Sequence, residues 1–406
     1  MNSHPKNCIS HSIEDFFDRI YSSGILEGFY RQIELINWHF TLQAYLKEDL
    51  SPDQKLSCQI ISWWLSRTIE KQRFLPLVTQ LSRARENGVW ALPSGGAYYT
   101  YLLNEYTTLT AEKIHEIGLQ EVERIEKKII DLLKQQGLWK QQVSIGAYLQ
   151  ELNKNHVFSF ANTEEERELC LKKIEEIVSR AEEKLGDLFS VKPKALPIIK
   201  LVQHGEKGEG TAAYYIRSMD GSHPGTLFVN LSGPQMLPSF QMETIAIHEG
   251  VPGHHYQRSL QMESDSHILR KWFDNAAYVE GWALYAEMLA YEEGFYSSLF
   301  NQIGHLQSEL RRAARLVVDT GIHWKRWSRG EAIVYMGQVV GLSPSDVDAE
   351  IECCFVTPGK ACAYKIGQMK ILELREEEKQ RLGDQFDLKE FHSRILNRGV
   401  LPLSML

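Results

Sequence analysis

The chain has 406 residues, 43% of them apolar and 24% charged, with a formal net charge of −8. That is the balance of an ordinary globular protein with material for two or three domains; its sign argues against a nucleic-acid partner, which needs a basic face, and no run of about 18 apolar residues offers a membrane span. Six cysteines lack framework spacing, and the opening MNSHPKNCISHSIEDFF lacks the basic-then-apolar order of a signal peptide, so the expected setting is a reducing cytoplasm, without membrane attachment.

Residues 13–85 carry apolar positions at helical spacing, through Ile20, Ile25, Phe29, Ile33, Ile36 and Phe40 and again through Ile60, Ile61, Trp64 and Leu65. Ser51-Pro52-Asp53 marks a helix start within them. Next, PSGGAYY (93–99) reads as a loop feeding a helix, where two glycines could let backbone approach a ligand and Tyr98 or Tyr99 could face a cleft. Long helices are expected over 110–136, opened by Thr110 and closed at Gly137, and over 163–188. The pattern then changes to three short strands, 198–202, 212–216 and 226–230, separated by glycine-rich turns. Tyr214, Tyr215 and Arg217 there are candidates for substrate contact. Pro238-Ser239 begins another helix, with Ser239 as its expected cap. The division that follows is a helical region over 1–90, a helical subdomain forming one cleft wall over 91–195, and a metal-binding region with the small sheet over 196–406.

The densest chemistry lies in 243–257, ETIAIHEGVPGHHYQ. Two histidines one helical turn apart with a glutamate between them, H-E-x-x-H, hold zinc in many peptidases and supply the general base. Here the second histidine comes late. On an unbroken helix His248 and His254 would stand about 9 Å apart in rise, too far to share one ion through bonds of about 2.1 Å. Pro252 cannot continue a helix and Gly253 tolerates unusual backbone angles, so the pair would bend the chain and return the second histidine to the first. Phase alone does not choose between His254 and His255. Two histidines need a third protein ligand, which the motif itself does not contain.

These segments resemble a known family. HEGVPGHHYQ is similar to the H-E-x-x-P-G-H-x-x-Q signature of the domain of unknown function 885 family, whose members resemble zinc metallopeptidases of the gluzincin kind. The likeness extends through GGAYYTYLL (95–103), DGSHPGTLFVN (220–230), YVEGWALYAE, RRAARLVVDTGIHW (311–324) and TPGKACAYKIGQMKILELR (357–375). It implies a mainly α, helical zinc-peptidase-like fold with a small β-sheet before the metal helix. It also favours His254 over His255 as ligand and implies Glu280, in YVEGWALYAE (278–287), as the third, leaving His255 and Asp319 in support, with Glu287, seven residues on and on the same helical face, placed to orient a ligand histidine. The same resemblance nominates His323 and Tyr364 as oxyanion donors and Arg315 as holder of a substrate carboxylate or a supporting acid. Lys360 falls where the family's run has glutamine.

The expected function is hydrolysis of an amide or peptide bond, in short peptides of the kind a carboxypeptidase or dipeptidase takes. One zinc ion would sit on His248, His254 and Glu280, with Glu249 as general base. Two other readings stand beside it: a metal-dependent enzyme acting on a small amide or modified amino acid, and a helical binding protein that has lost its chemistry.

Overall fold

The structure, a computed structural model, describes residues 32–78, 84, 86–139, 143–158, 163–202, 212–218, 222–230 and 238–406. The helical positions expected at Ile20, Ile25 and Phe29 lie outside the described residues. The chain divides into two units, Met1–Gln80 with Ser264–Asp274 and Leu81–Glu263 with Asn275–Leu406. The expected regions 91–195 and 196–406 therefore fall together in the second, apart from 264–274.

In the first unit α1 (Gln32–Tyr45) packs against α2 (Pro52–Lys71), and a short helix over Ile268–Trp272 adds Leu269 to their shared face. Ser51 starts α2 as a capping box: its Oγ accepts from Gln54 N at 3.3 Å, while its own N–H donates to Gln54 Oε1 at 3.0 Å. Leu35, Leu42, Cys58, Ile61, Leu65 and Leu269 bury the shared face. Phe40, counted among the apolar positions of the pattern, is 68% exposed.

The second unit is helical apart from one sheet. Its first part comprises α3 (Gly95–Leu103), α4 (Ala111–Gln135), α5 (Ile145–Asn153) and α6 (Glu164–Leu185). The side chains of Thr110 and Thr163 cap α4 and α6, accepting from Lys113 N and Glu166 N, each contact contributing about 1 kcal/mol. Three four-residue strands follow: β1 (Ile198–Leu201), β2 (Ala213–Ile216) and β3 (Thr226–Val229). β3 is central, pairing parallel with β1 and antiparallel with β2. The sheet thus precedes the motif, as the glycine-punctuated pattern indicates.

The rest is α7 (Met242–Glu249), α8 (His254–Glu263), α9 (Ala276–Glu292), α10 (Leu299–His323), α11 (Arg329–Val340), α12 (Pro344–Val356), α13 (Lys360–Leu382) and α14 (Leu388–Leu396). Ser239 does not cap α7: it opens a separate 3-10 turn, Ser239–Gln241, and α7 begins behind it with no side-chain cap. Glu243 anchors the first turn instead, pairing with Arg180 of α6 and accepting from Ser297 N at 3.0 Å and Ser297 Oγ at 2.8 Å.

α10 is the central rod, packing Leu306, Leu310, Ala314 and Val318 against Val122, Ile125 and Ile129 of α4. α9 and α13 cross at two glycines. A Cβ on Gly367 would lie 1.8 Å from the Ala277 carbonyl oxygen, and one on Gly281 would lie 2.4 Å from the Gly367 carbonyl carbon. Neither position has room for a side chain, so the two backbones touch. That contact sets Glu280, beside Gly281, near Tyr364, one turn before Gly367.

Candidate metal centre

The late second histidine is accommodated by a break rather than a kink. α7 ends at Glu249, a four-residue turn containing a cis Val251–Pro252 peptide follows, and α8 begins at His254. Gly253 makes the turn possible: its N–H donates to Ile247 O at 3.1 Å, and a Cβ there would sit 2.1 Å from His248 O. Trp282 of α9 holds the outside of the turn, donating Nε1–H to Pro252 O at 2.8 Å. The result brings the His248 and His254 rings to 4.7 Å between centroids, nearly perpendicular.

Glu280 reaches in from α9. Its Oε2 stands 3.5 Å from His248 Nε2 and 3.3 Å from His254 Nε2. Donors on a tetrahedral zinc, with bonds of about 2.1 Å, are about 3.4 Å apart, so both measured edges match that spacing. All three donor atoms lie within 4.8 Å of one another, and no other such cluster occurs among the described residues. Cys353, Cys354 and Cys362, which as a group could suggest a second site, form none. Burial acts to raise the Glu280 carboxyl, but the His254 and His248 imidazoles overcome it and hold the group well below the usual carboxylate range.

The Nδ1 of His248 meets Glu287 Oε1 at 2.7 Å, which leaves Nε2 as the nitrogen facing the triad. Glu287 is fixed in turn by Ser308 Oγ, donating to Oε2 at 2.9 Å, with His305 Nδ1 3.6 Å away. Burial alone would lower His248; its hydrogen bonds to Glu280 and Glu287 reverse that and raise it to about 9. The Nδ1 of His254 is buried and, among the described residues, has no hydrogen-bond partner.

Glu249 is half-buried at the end of α7. Tyr364, on α13, is packed against Arg315 of α10. The Glu280 carboxylate, then burial, push its phenol up to about 12, with a smaller contribution from Glu249; it therefore stays a donor at neutral pH. Arg315 does not reach for a ligand from here. Its Nε and Nη2 grip Glu350 at 2.6 and 2.8 Å, and its Cζ lies 4.8 Å from the centre of the Tyr364 ring.

Other expected participants lie apart from the triad. His323 uses both nitrogens in the core, Nδ1 accepting from Val89 N at 3.2 Å and Nε2 donating to Cys354 O at 2.9 Å. It has no hydrogen left for an oxyanion. His255 is likewise committed, with Nε2 on Ala195 O at 2.8 Å and Nδ1 on Tyr215 Oη at 3.2 Å, tying α8 to the sheet. Asp319 receives Tyr99 Oη–H at 2.5 Å and Gly359 N–H at 2.9 Å, anchoring the start of α13. Tyr214 stacks on its cross-strand partner Phe228 at 5.0 Å, and Tyr98 stacks on Tyr101. Gly95 serves the chain itself, since a Cβ there would strike Val89 O at 1.9 Å. Lys360 is exposed on the first turn of α13. Ser308 and Trp282 are supporting residues that no spacing in the sequence announces; both act through partners distant along the chain.

The profile of a family described as bacterial protein of unknown function (DUF885) matches residues 41–406. Among solved structures, a "putative lipoprotein" from Colwellia psychrerythraea superposes with a TM-score of 0.75 at 32% identity, over 97% of this chain and 73% of that one. A "putative lipoprotein of unknown function" from Shewanella oneidensis gives 0.63 at 18% identity, over 97% and 72%; at that identity the likeness concerns the fold alone. No curated protein matches.

Proposed function

As the chain belongs to the DUF885 family, whose function is not established, we propose from its donor geometry that it is a zinc-dependent hydrolase cleaving an amide or peptide bond, in short peptides. The observation that carries the reading is the spacing of Glu280 Oε2 from the two imidazole nitrogens, 3.5 and 3.3 Å. The donor set suits zinc: two imidazoles, one carboxylate, and an acid on the far nitrogen of His248. The buried, unpartnered Nδ1 of His254 leaves that ring free to present Nε2.

His248, His254 and Glu280 would hold the ion. When bound, zinc supplies Lewis acidity, lowering the pKa of water to about 7 and polarising a carbonyl. Glu249 takes the proton of the attacking water at its carboxylate and passes it to the leaving nitrogen. Among the described residues it makes no hydrogen bond or ion pair that would compete. Tyr364 donates its Oη–H to the oxyanion that develops on the substrate carbonyl. Glu287 and Ser308 keep the His248 ring in one orientation throughout.

Glu249→Gln tests this assignment. The variant should retain zinc and lose short-peptide hydrolysis by roughly 10²- to 10⁴-fold. Wild-type turnover by the variant would remove Glu249 from the mechanism.

A further inference from the structure

We infer that Arg312 receives a carboxylate of the substrate, close to the bond that is cut. The place in a reaction rests on the hydrolase reading above; the binding itself does not.

α10 carries Arg311, Arg312 and Arg315 in one turn and a half, and one buried acid serves two of them. Arg311 reaches Glu350 through Nε at 3.0 Å, and Arg315 reaches it through Nε and Nη2. Arg312 turns the other way. Its Nη1 finds only Ser308, the hydroxyl at 2.5 Å and the carbonyl at 3.2 Å, both uncharged. Among the described residues no carboxylate lies within ion-pair distance of it, and its Nε is buried without a hydrogen-bond partner. Glu287 is the acid that acts on it most, yet both Glu287 oxygens are taken, by His248 and Ser308. Burial, joined by the charges of Arg315 and Arg311, outweighs the pull of Glu287 and leaves the guanidinium below its ordinary value. A half-buried cation in this condition gains from an arriving anion.

Ser308 ties Arg312 to the triad: its hydroxyl accepts from Arg312 Nη1 and donates to Glu287 Oε2, whose other oxygen meets His248 Nδ1. A substrate held at the triad on the His248 side therefore has close by a cation that, among the described residues, lacks an ion pair. Arginine's planar fork suits a carboxylate, which it can hold through two parallel bonds. The carboxylate can come from the carboxyl terminus of a peptide or from an aspartate or glutamate side chain. The chemistry is the same, and the test separates the two.

The test is calorimetric binding to the full chain stripped of metal, so that no ion can ligate the carboxylate directly. The probes are N-acetyl-phenylalanine, its amide, and N-acetyl-aspartate α-amide. A charged hydrogen-bonded contact of this kind corresponds to roughly 10- to 100-fold in affinity, so one of the two acids should bind at least about 10-fold tighter than the neutral amide. N-acetyl-phenylalanine as the tight ligand assigns the terminal carboxylate, and the aspartyl amide assigns the side chain. Arg312→Met should reduce the favoured acid to the affinity of the amide, and Arg312→Lys, which keeps the charge without the fork, should fall between them. Arg311→Met should keep the preference. Melting curves of each variant report whether it is folded. Equal binding of acids and amide by wild type overturns the inference, as does a folded Arg312→Met that keeps the preference. A chain that prefers an acid but takes up no zinc keeps this inference and loses the hydrolase reading.

Discussion

Each buried histidine is defined by what its two nitrogens already do. His248 gives one to Glu287 and has one left, whereas His255 and His323 have both engaged. Residue type, spacing and the family resemblance pointed to all of them. What separates the candidate ligand from the scaffold histidines is the identity of partners far away in sequence, such as Val89 for His323. The same holds for arginine: Arg315 is taken by Glu350, a partner 35 residues on, which no local pattern contains. That His248, His254 and Glu280 come together was legible, the histidines from their spacing and the glutamate from the family resemblance. Asp319 yields a prediction at this scale. Burial raises its carboxyl to about 7, against the opposing hydrogen bonds from Tyr99 and Gly359. The unfolded group titrates near about 3.9, so between these values the folded chain holds a proton that the unfolded chain has released. This contribution is complete below the unfolded value and is lost as pH rises through about 7. The loss is on the order of 4 kcal/mol across the window. Asp319→Asn keeps the acceptor oxygen and cannot titrate. The wild-type melting temperature should therefore fall relative to the variant between pH 4 and 7, and a constant difference would show that Asp319 does not titrate in that window.

At the scale of elements, helix starts were the most legible feature. Ser51, Thr110 and Thr163 each cap the helix they announce, because a cap is a contact over three residues. Ser239 failed because a 3-10 turn intervenes before α7. The crossing of α9 and α13 was not legible, since nothing local says that Gly281 and Gly367 meet. Gly367→Ala should force the helices apart, costing roughly 1–3 kcal/mol by overpacking and weakening zinc binding through Glu280. Gly337→Ala is the comparison: its Cβ would meet only Val347 Cγ2 at 3.9 Å, and an alanine in a helix interior gains about 1 kcal/mol over glycine. Urea unfolding should rank the two variants on opposite sides of wild type; equal stability would mean that α9 and α13 do not touch as described.

At the scale of the whole molecule, the mainly helical composition and the small sheet before the motif were readable from periodicity. The grouping of 91–195 with 196–406 was not, because it depends on α10 packing along α4. The candidate centre draws on α7, α8, α9, α10 and α13, which all belong to one unit. An ion that joins three of these helices should stabilise that unit as a whole. Free zinc at about 100 times its dissociation constant should add about 2.7 kcal/mol, read as a melting temperature that rises with zinc and falls with chelator. The most direct measurement is the zinc content per chain of protein purified without chelator, wild type beside His254→Ala. The account predicts about one ion per wild-type chain and almost none in the variant. A wild-type chain that takes up no zinc, even when zinc is supplied, would contradict it.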